Sequence, residues 1–208
     1  MPPVPARNAD LHGLAPDTCP VALLLVDVVS DFDFPDGDQL LEQARPAIER
    51  MVGLVRRARG AGVPVVYAND NFGRWQDDFS AVVRRALRPE SPARDLASRI
   101  RPGPEDYVVL KPKHSAFFQT PLETVFAHLG TQTLVLAGFT GDVCLLATAI
   151  DANMRDFRLV VPSDTVASVN PADNEAALAY LRRVADAETP AAADVDFEEL
   201  IAAVSDAT

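Results

Sequence analysis

Leu134-Val-Leu-Ala-Gly-Phe-Thr-Gly-Asp-Val-Cys144-Leu-Leu-Ala-Thr-Ala-Ile-Asp-Ala152 reads as a buried strand, a glycine-bounded turn and the opening of a helix. The strand runs through apolar residues without polar alternation, which implies a sheet covered on both faces. Cys144 then falls in the first turn of the helix. Unpaired backbone N–H groups and the positive end of the helix dipole favour thiolate there, so its pKa is expected to fall from about 8.5 toward neutrality. The competing reading is a small buried apolar residue, the usual state of a reduced cysteine.

Outward from this stretch the same alternation repeats. Short apolar runs at Val21-Ala-Leu-Leu-Leu-Val26, Gly62 to Ala68, Tyr107 to Leu110 and Arg158 to Val161 are separated by helical patterns over 39–60, 120–129, 143–155 and 172–187, with a mixed stretch over 76–100. Strand and helix in alternation give right-handed crossovers. The expected fold is α/β: a doubly wound, Rossmann-like, mostly parallel sheet of about six strands flanked by helices in three α/β/α layers. The domain is expected over 21–187, preceded by a proline-rich arm over 1–20 and followed by a peripheral helix and tail over 188–208.

The 208 residues, 48% hydrophobic and 24% charged, suffice for one substantial core. A net charge of -11 without a basic stretch argues against nucleic acid and anionic membrane surfaces as partners. The N-terminus lacks an apolar targeting segment and no stretch is apolar for long enough to cross a bilayer, which reads as a cytoplasmic protein. Two cysteines in such a chain are expected to be reduced and separate, with Cys19 a bystander.

Ligands of doubly wound sheets bind outside the carboxyl ends of the strands. Asp27, the Asn69 to Asn71 segment, Lys111 and Cys144 all fall there. Taken singly, Asp27 reads as a turn cap and Lys111 as a solvated loop residue. Together they form a coherent set: a carboxylate to accept the thiol proton, an ammonium to stabilise both partners, and backbone N–H groups to hold an oxyanion.

Three blocks carry a family resemblance: Leu24-Leu-Val-Asp27 with Asp31-Phe32, Lys111-Pro-Lys-His-Ser-Ala-Phe117, and Gly138-Phe-Thr-Gly-Asp-Val-Cys144 running on to Thr148-Ala-Ile-Asp-Ala152. On these the chain resembles the isochorismatase-like cysteine hydrolases from about Val21 to Val184. The resemblance implies Cys144 as nucleophile, Asp27 as proton acceptor and later donor, and Lys111 as the cation ordering both. It also implies a cis Phe139–Thr140 peptide, with the Thr140 and Cys144 N–H groups as oxyanion hole. The implied reaction is hydrolysis of a small amide, ureide or carbamoyl C–N bond through a thioester, without a cofactor. Family members are commonly homodimers or homotetramers.

Departures from the family pattern bear on substrate. Val29 stands where members often carry glutamine, and Gly141 where threonine is commoner. The segment Asn69-Asp-Asn-Phe-Gly-Arg-Trp-Gln-Asp-Asp78 lacks the histidines with which nicotinamidase-like members bind metal, so no metal is expected. Phe32 and Trp75 are expected as walls of a small-molecule pocket, with Asn71 as a hydrogen-bond donor. Three alternatives remain at this stage: a vinyl-ether hydrolase using Asp27, a catalytically silent binding protein of the same fold, and a dinucleotide-dependent oxidoreductase. The last lacks its glycines, since Asp27-Val-Val-Ser-Asp-Phe follows the first strand instead of a phosphate-binding turn.

Overall fold

The computed structural model of the chain describes residues 18–205. The expected arm over 1–20 therefore lies outside the described residues, apart from 18–20. Five strands form one sheet: β1 (Val21–Val26), β2 (Val65–Asp70), β3 (Tyr107–Lys111), β4 (Thr133–Phe139) and β5 (Arg158–Val160), with a short β6 (Val166–Ala167) beside the end of β4. Their order is β3-β2-β1-β4-β5, and every pairing is parallel. The sheet reverses direction of growth between β1 and β4, so the crevice at the ends of these two strands is the switch point.

Among the described residues seven α-helices cover the sheet: α1 (Gly37–Gly60), α2 (Phe79–Ala86), α3 (Arg94–Ile100), α4 (Leu122–Leu129), α5 (Leu146–Asn153), α6 (Pro171–Val184) and α7 (Phe197–Ser205). Side chains alternate across a strand, and β1 shows what that does. Val21, Leu23 and Leu25 join a core with Leu40, Met51 and Leu54 of α1 and Leu96 of α3. Ala22, Leu24 and Val26 join a second core with Phe126 of α4, Ala149 of α5 and Leu178 of α6. All six β1 residues are buried. Polar alternation is absent because neither face meets water, and the three-layer α/β/α architecture follows.

Some boundaries differ from the expected ones. The mixed stretch over 76–100 resolves into α2 and α3. The single helix expected over 143–155 is a π-helical turn, Gly141–Leu145, continued by α5. β6 is too short to leave a pattern in the sequence. The tail returns to the sheet through a bridge between Val160 and Glu188, and Phe197 of α7 is buried in the α1 core. Among the described residues no helix is long and apolar enough to cross a membrane.

Candidate active site

Three parallel strands deliver one side chain each to the same edge. Asp27 directly follows β1, Lys111 ends β3, and Cys144 follows β4 inside the π-helical turn. Gly138 makes the approach of β4 to β1 close enough. It pairs with Val26 at φ 136, and a Cβ there would lie 2.0 Å from the Val26 carbonyl oxygen. No other residue type fits that position.

Asp27 takes a left-handed backbone conformation, φ 55, and its N–H donates to Ala68 O at 2.9 Å. Aspartate tolerates this region better than most residues. The turn aims its carboxylate at the sheet edge, where Oδ1 accepts the Asp70 N–H at 2.6 Å and Oδ2 lies 2.9 Å from Lys111 Nζ. Lys111 is wholly buried. Its ammonium also donates to Lys113 O at 3.1 Å and to Cys144 Sγ at 3.4 Å, with Asp70 Oδ2 at 3.6 Å. Three N–H groups thus meet three acceptors, which is the condition for burying a lysine.

Burial raises the Asp27 carboxyl above its ordinary value, and the Lys111 charge only partly offsets this. Burial pulls Lys111 down, but Asp27, Cys144 and Asp70 together outweigh it and hold the ammonium up. The thiol runs against the expectation of a lowered pKa. Burial, reinforced by the Asp27 charge, pushes Cys144 up to about 12, against the pull of Lys111. Desolvation and the neighbouring Asp27 outweigh the helix start, so Cys144 rests as a thiol.

The Phe139–Thr140 peptide is cis. Among the described residues the Thr140 N–H donates to no protein acceptor. Thr148 joins the helix that follows Cys144 to the loop after β3: its hydroxyl donates to Cys144 O at 2.7 Å and accepts the Ala116 N–H at 3.0 Å. Ser115 Oγ bonds Asp151 beside it.

Asp27 and Cys144 open onto a cavity of about 250 Å³. One wall is a run of rings, Phe139 to Phe32 to Phe34 to Phe72, with centroids 6.4, 6.1 and 6.2 Å apart. Phe32 and Phe72 have positive φ, an unusual conformation for a bulky residue and one that turns both rings to the cleft. Asp70 and His114 complete the rim, with His114 Nδ1 3.7 Å from Cys144 Sγ.

Of the residues expected to contact substrate, Phe32 lines this cavity while Asn71 and Trp75 do not. Asn71 is buried and spends its amide oxygen on the Gly73 N–H, and Trp75 is 73% exposed. Phe117 packs with Phe126 and Phe157 in the α4 core instead. The strand-end rule selects the Asn69 to Asn71 segment, but within it Asn71 is the residue expected at the pocket where Asp70 stands, and sequence reasoning missed His114 and Phe34. Gly141 also gains a reason: a Cβ there would meet Asn174 Oδ1 at 2.2 Å and Val166 Cγ1 at 2.6 Å. Among the described residues no group of three or more His, Cys, Asp or Glu is placed to hold a metal ion.

A family model described as "Isochorismatase domain" matches residues 21–192. The isochorismatase family protein YaaI of Bacillus subtilis is 35% identical over 80% of this chain and 91% of its own length. Ureidoacrylate amidohydrolase RutB of Methylorubrum extorquens is 31% identical over 61% of this chain, which spans 59% of that relative. Among solved structures, N-carbamoylsarcosine amidase from Thermoplasma acidophilum superposes with a TM-score of 0.63 at 26% identity, covering 85% of this chain and 98% of that one. The match of the family model over most of the chain, together with the 35% identity to YaaI, shows that this chain belongs to the isochorismatase family and is a hydrolase of that family.

Proposed function

We propose that the chain is a cysteine amidohydrolase acting on a small amide, ureide or carbamoyl C–N bond. The observation that carries this reading is Lys111 Nζ, 2.9 Å from Asp27 Oδ2 and 3.4 Å from Cys144 Sγ, behind a cavity onto which Asp27 and Cys144 open. The amidohydrolase relatives support it, because the reaction named in their descriptions is cleavage of amide or ureido bonds.

A thiol at about 12 does not ionise alone near neutrality, so the attack is coupled to proton transfer. Asp27 takes the Sγ proton as sulfur bonds to the carbonyl carbon, and the C=O electron pair moves to oxygen. The Thr140 and Cys144 N–H groups receive that oxyanion. Its collapse breaks C–N while Asp27 returns the proton to the departing nitrogen, leaving a thioester and ammonia or an amine. Water, deprotonated by Asp27, then attacks the thioester; C–S breaks, the thiol recovers its proton, and the acid leaves. Lys111 stays charged throughout and keeps Asp27 and Sγ in register.

The test is ammonia release from a panel of small amides and ureides, by wild type and Cys144→Ala. The expected result is turnover of at least one compound by wild type and none above background by the variant. Full hydrolysis by Cys144→Ala would remove the nucleophile from the scheme.

A further inference from the structure

The cavity is unbalanced in charge. Its lining includes two carboxylates, Asp27 and Asp70, and no lysine or arginine; His114 is the one basic side chain on it. Lys111 is fully buried behind the wall, and one ammonium faces both carboxylates, at 2.9 and 3.6 Å. Lys111 is thus the one ammonium shared by the two carboxylates, and the second has no cation of its own on the cavity to compensate it. Arg74 and Lys113, the nearby cations in sequence, are exposed and do not line the cavity. The Asp70 carboxylate is fixed through Oδ1 by the Phe72 N–H at 2.6 Å, and its side chain is 28% exposed. The run of four phenylalanine rings supplies the apolar part of the lining.

We infer that this site selects small amides whose remaining portion is apolar and uncharged or cationic, and excludes carboxylate-bearing amides, with Asp70 as the specificity-determining residue. For its substrate half the inference rests on the amidohydrolase reading; the charge discrimination does not. An apolar body fits the phenylalanine wall, and a cationic end meets the free side of Asp70. An anionic end faces the uncompensated charge with no guanidinium or ammonium to receive it. At an effective dielectric between that of a protein surface and water, a like charge placed across so small a cleft is disfavoured by about tenfold.

The test uses three amides of similar size: 4-methylpentanamide, its carboxylate isostere succinamate, and 4-aminobutanamide. In wild type, kcat/KM for ammonia release is expected to be about tenfold or more higher for the first and third than for succinamate. Asp70→Asn, which keeps the Oδ1 acceptor for Phe72, is expected to narrow that gap at least about threefold. Equal or faster turnover of succinamate by wild type overturns the inference, and an unchanged gap in Asp70→Asn overturns the role of Asp70.

Alkylation of Cys144 by iodoacetamide and by iodoacetate separates this inference from the amidohydrolase reading. The ratio of the two rates, normalised to 2-mercaptoethanol and read at Cys144 by peptide mass, needs no turnover and cancels changes in thiol ionisation. A normalised ratio of about ten in favour of iodoacetamide, reduced in Asp70→Asn, upholds the charge discrimination even if none of the amides is hydrolysed. A normalised ratio near one overturns it even if they are.

Discussion

Asp27 is where burial and pairing oppose each other most directly. Burial raises its pKa and Lys111 lowers it, with burial the larger influence. The consequence for rate has a definite sign. On the proposed mechanism, lowering the pH protonates Asp27 and removes the base, so kcat/KM is expected to fall on the acid side through an apparent pKa above the ordinary carboxylate value of about 3.9. On the alkaline side Lys111 is held above its ordinary value, so the profile stays level through neutrality and fails only in the strongly alkaline range. Asp27→Asn is expected to lower kcat/KM at pH 7 by about 100-fold or more and to abolish the acid limb, leaving a residual rate that climbs with pH as the thiol ionises unaided. A pH-rate profile of both proteins checks this; an acid limb that survives in Asp27→Asn would assign it to another group. That Asp27, Lys111 and Cys144 come together was legible in the sequence because Asp27 and Lys111 each close an apolar run and Cys144 follows one through a short turn, all local features. The direction of the Cys144 shift was not legible, since it depends on how deeply Lys111, Asp27 and the thiol are packed together by strands distant in the chain.

At the scale of elements, Cys144 is held by contacts between segments. Thr148 is fully buried on α5 and ties Cys144 O to the Ala116 N–H, so one hydroxyl sets the π-helical turn against the loop that follows Lys111. Thr148→Val keeps the shape and removes the hydroxyl, leaving the buried Ala116 N–H without its acceptor. The expected loss is about 1–3 kcal/mol of stability, read from the denaturant midpoint, with a drop in kcat larger than any change in KM. Retention of full kcat would show that the two segments hold their register without that bond. Gly141→Ala acts on the same turn from its other side, against Asn174 and Val166. Overpacking there is expected to cost about 1–3 kcal/mol, with impaired turnover, checked by thermal melts alongside ammonia release. The Gly141 requirement illustrates why element-level detail escapes a linear reading: Val166, Ser168 and Asn174, which fill the space around it, arrive from β6, the loop after it and α6. Trp75 illustrates the converse. Its size and its place after β2 suggest a pocket wall, yet the loop turns it outward and Phe72, three residues earlier, takes the wall position.

Across the whole molecule, a parallel sheet separates what reacts from what holds the chain together. The paired strands run the same way, so Asp27, Lys111 and Cys144 gather at the carboxyl edge, while the helices return along both faces and bury most of their apolar residues against the sheet. That division was readable from the order of apolar runs and helical patterns alone, because it needs only the alternation and the rule of right-handed crossovers. It also makes a prediction that separates stability from chemistry. Helix α1 starts beside the cleft, where Gly37 sits against the Phe32 carbonyl, and runs back to Gly60, ahead of the start of β2. Leu54 therefore lies toward the amino edge of the strands, wholly buried in the core shared with β1. Leu54→Ala removes three carbons from a packed interior and is expected to cost about 2–5 kcal/mol, the spread reflecting how far the site collapses around the cavity. The same substitution is expected to leave kcat/KM at 25 °C within about twofold, because the loss falls on the global unfolding equilibrium and not on the geometry of Asp27, Lys111 and Cys144. Urea unfolding and ammonia release on one preparation measure both quantities, and a large fall in kcat/KM without loss of folded protein would show that the amino edge of the core transmits strain to the site.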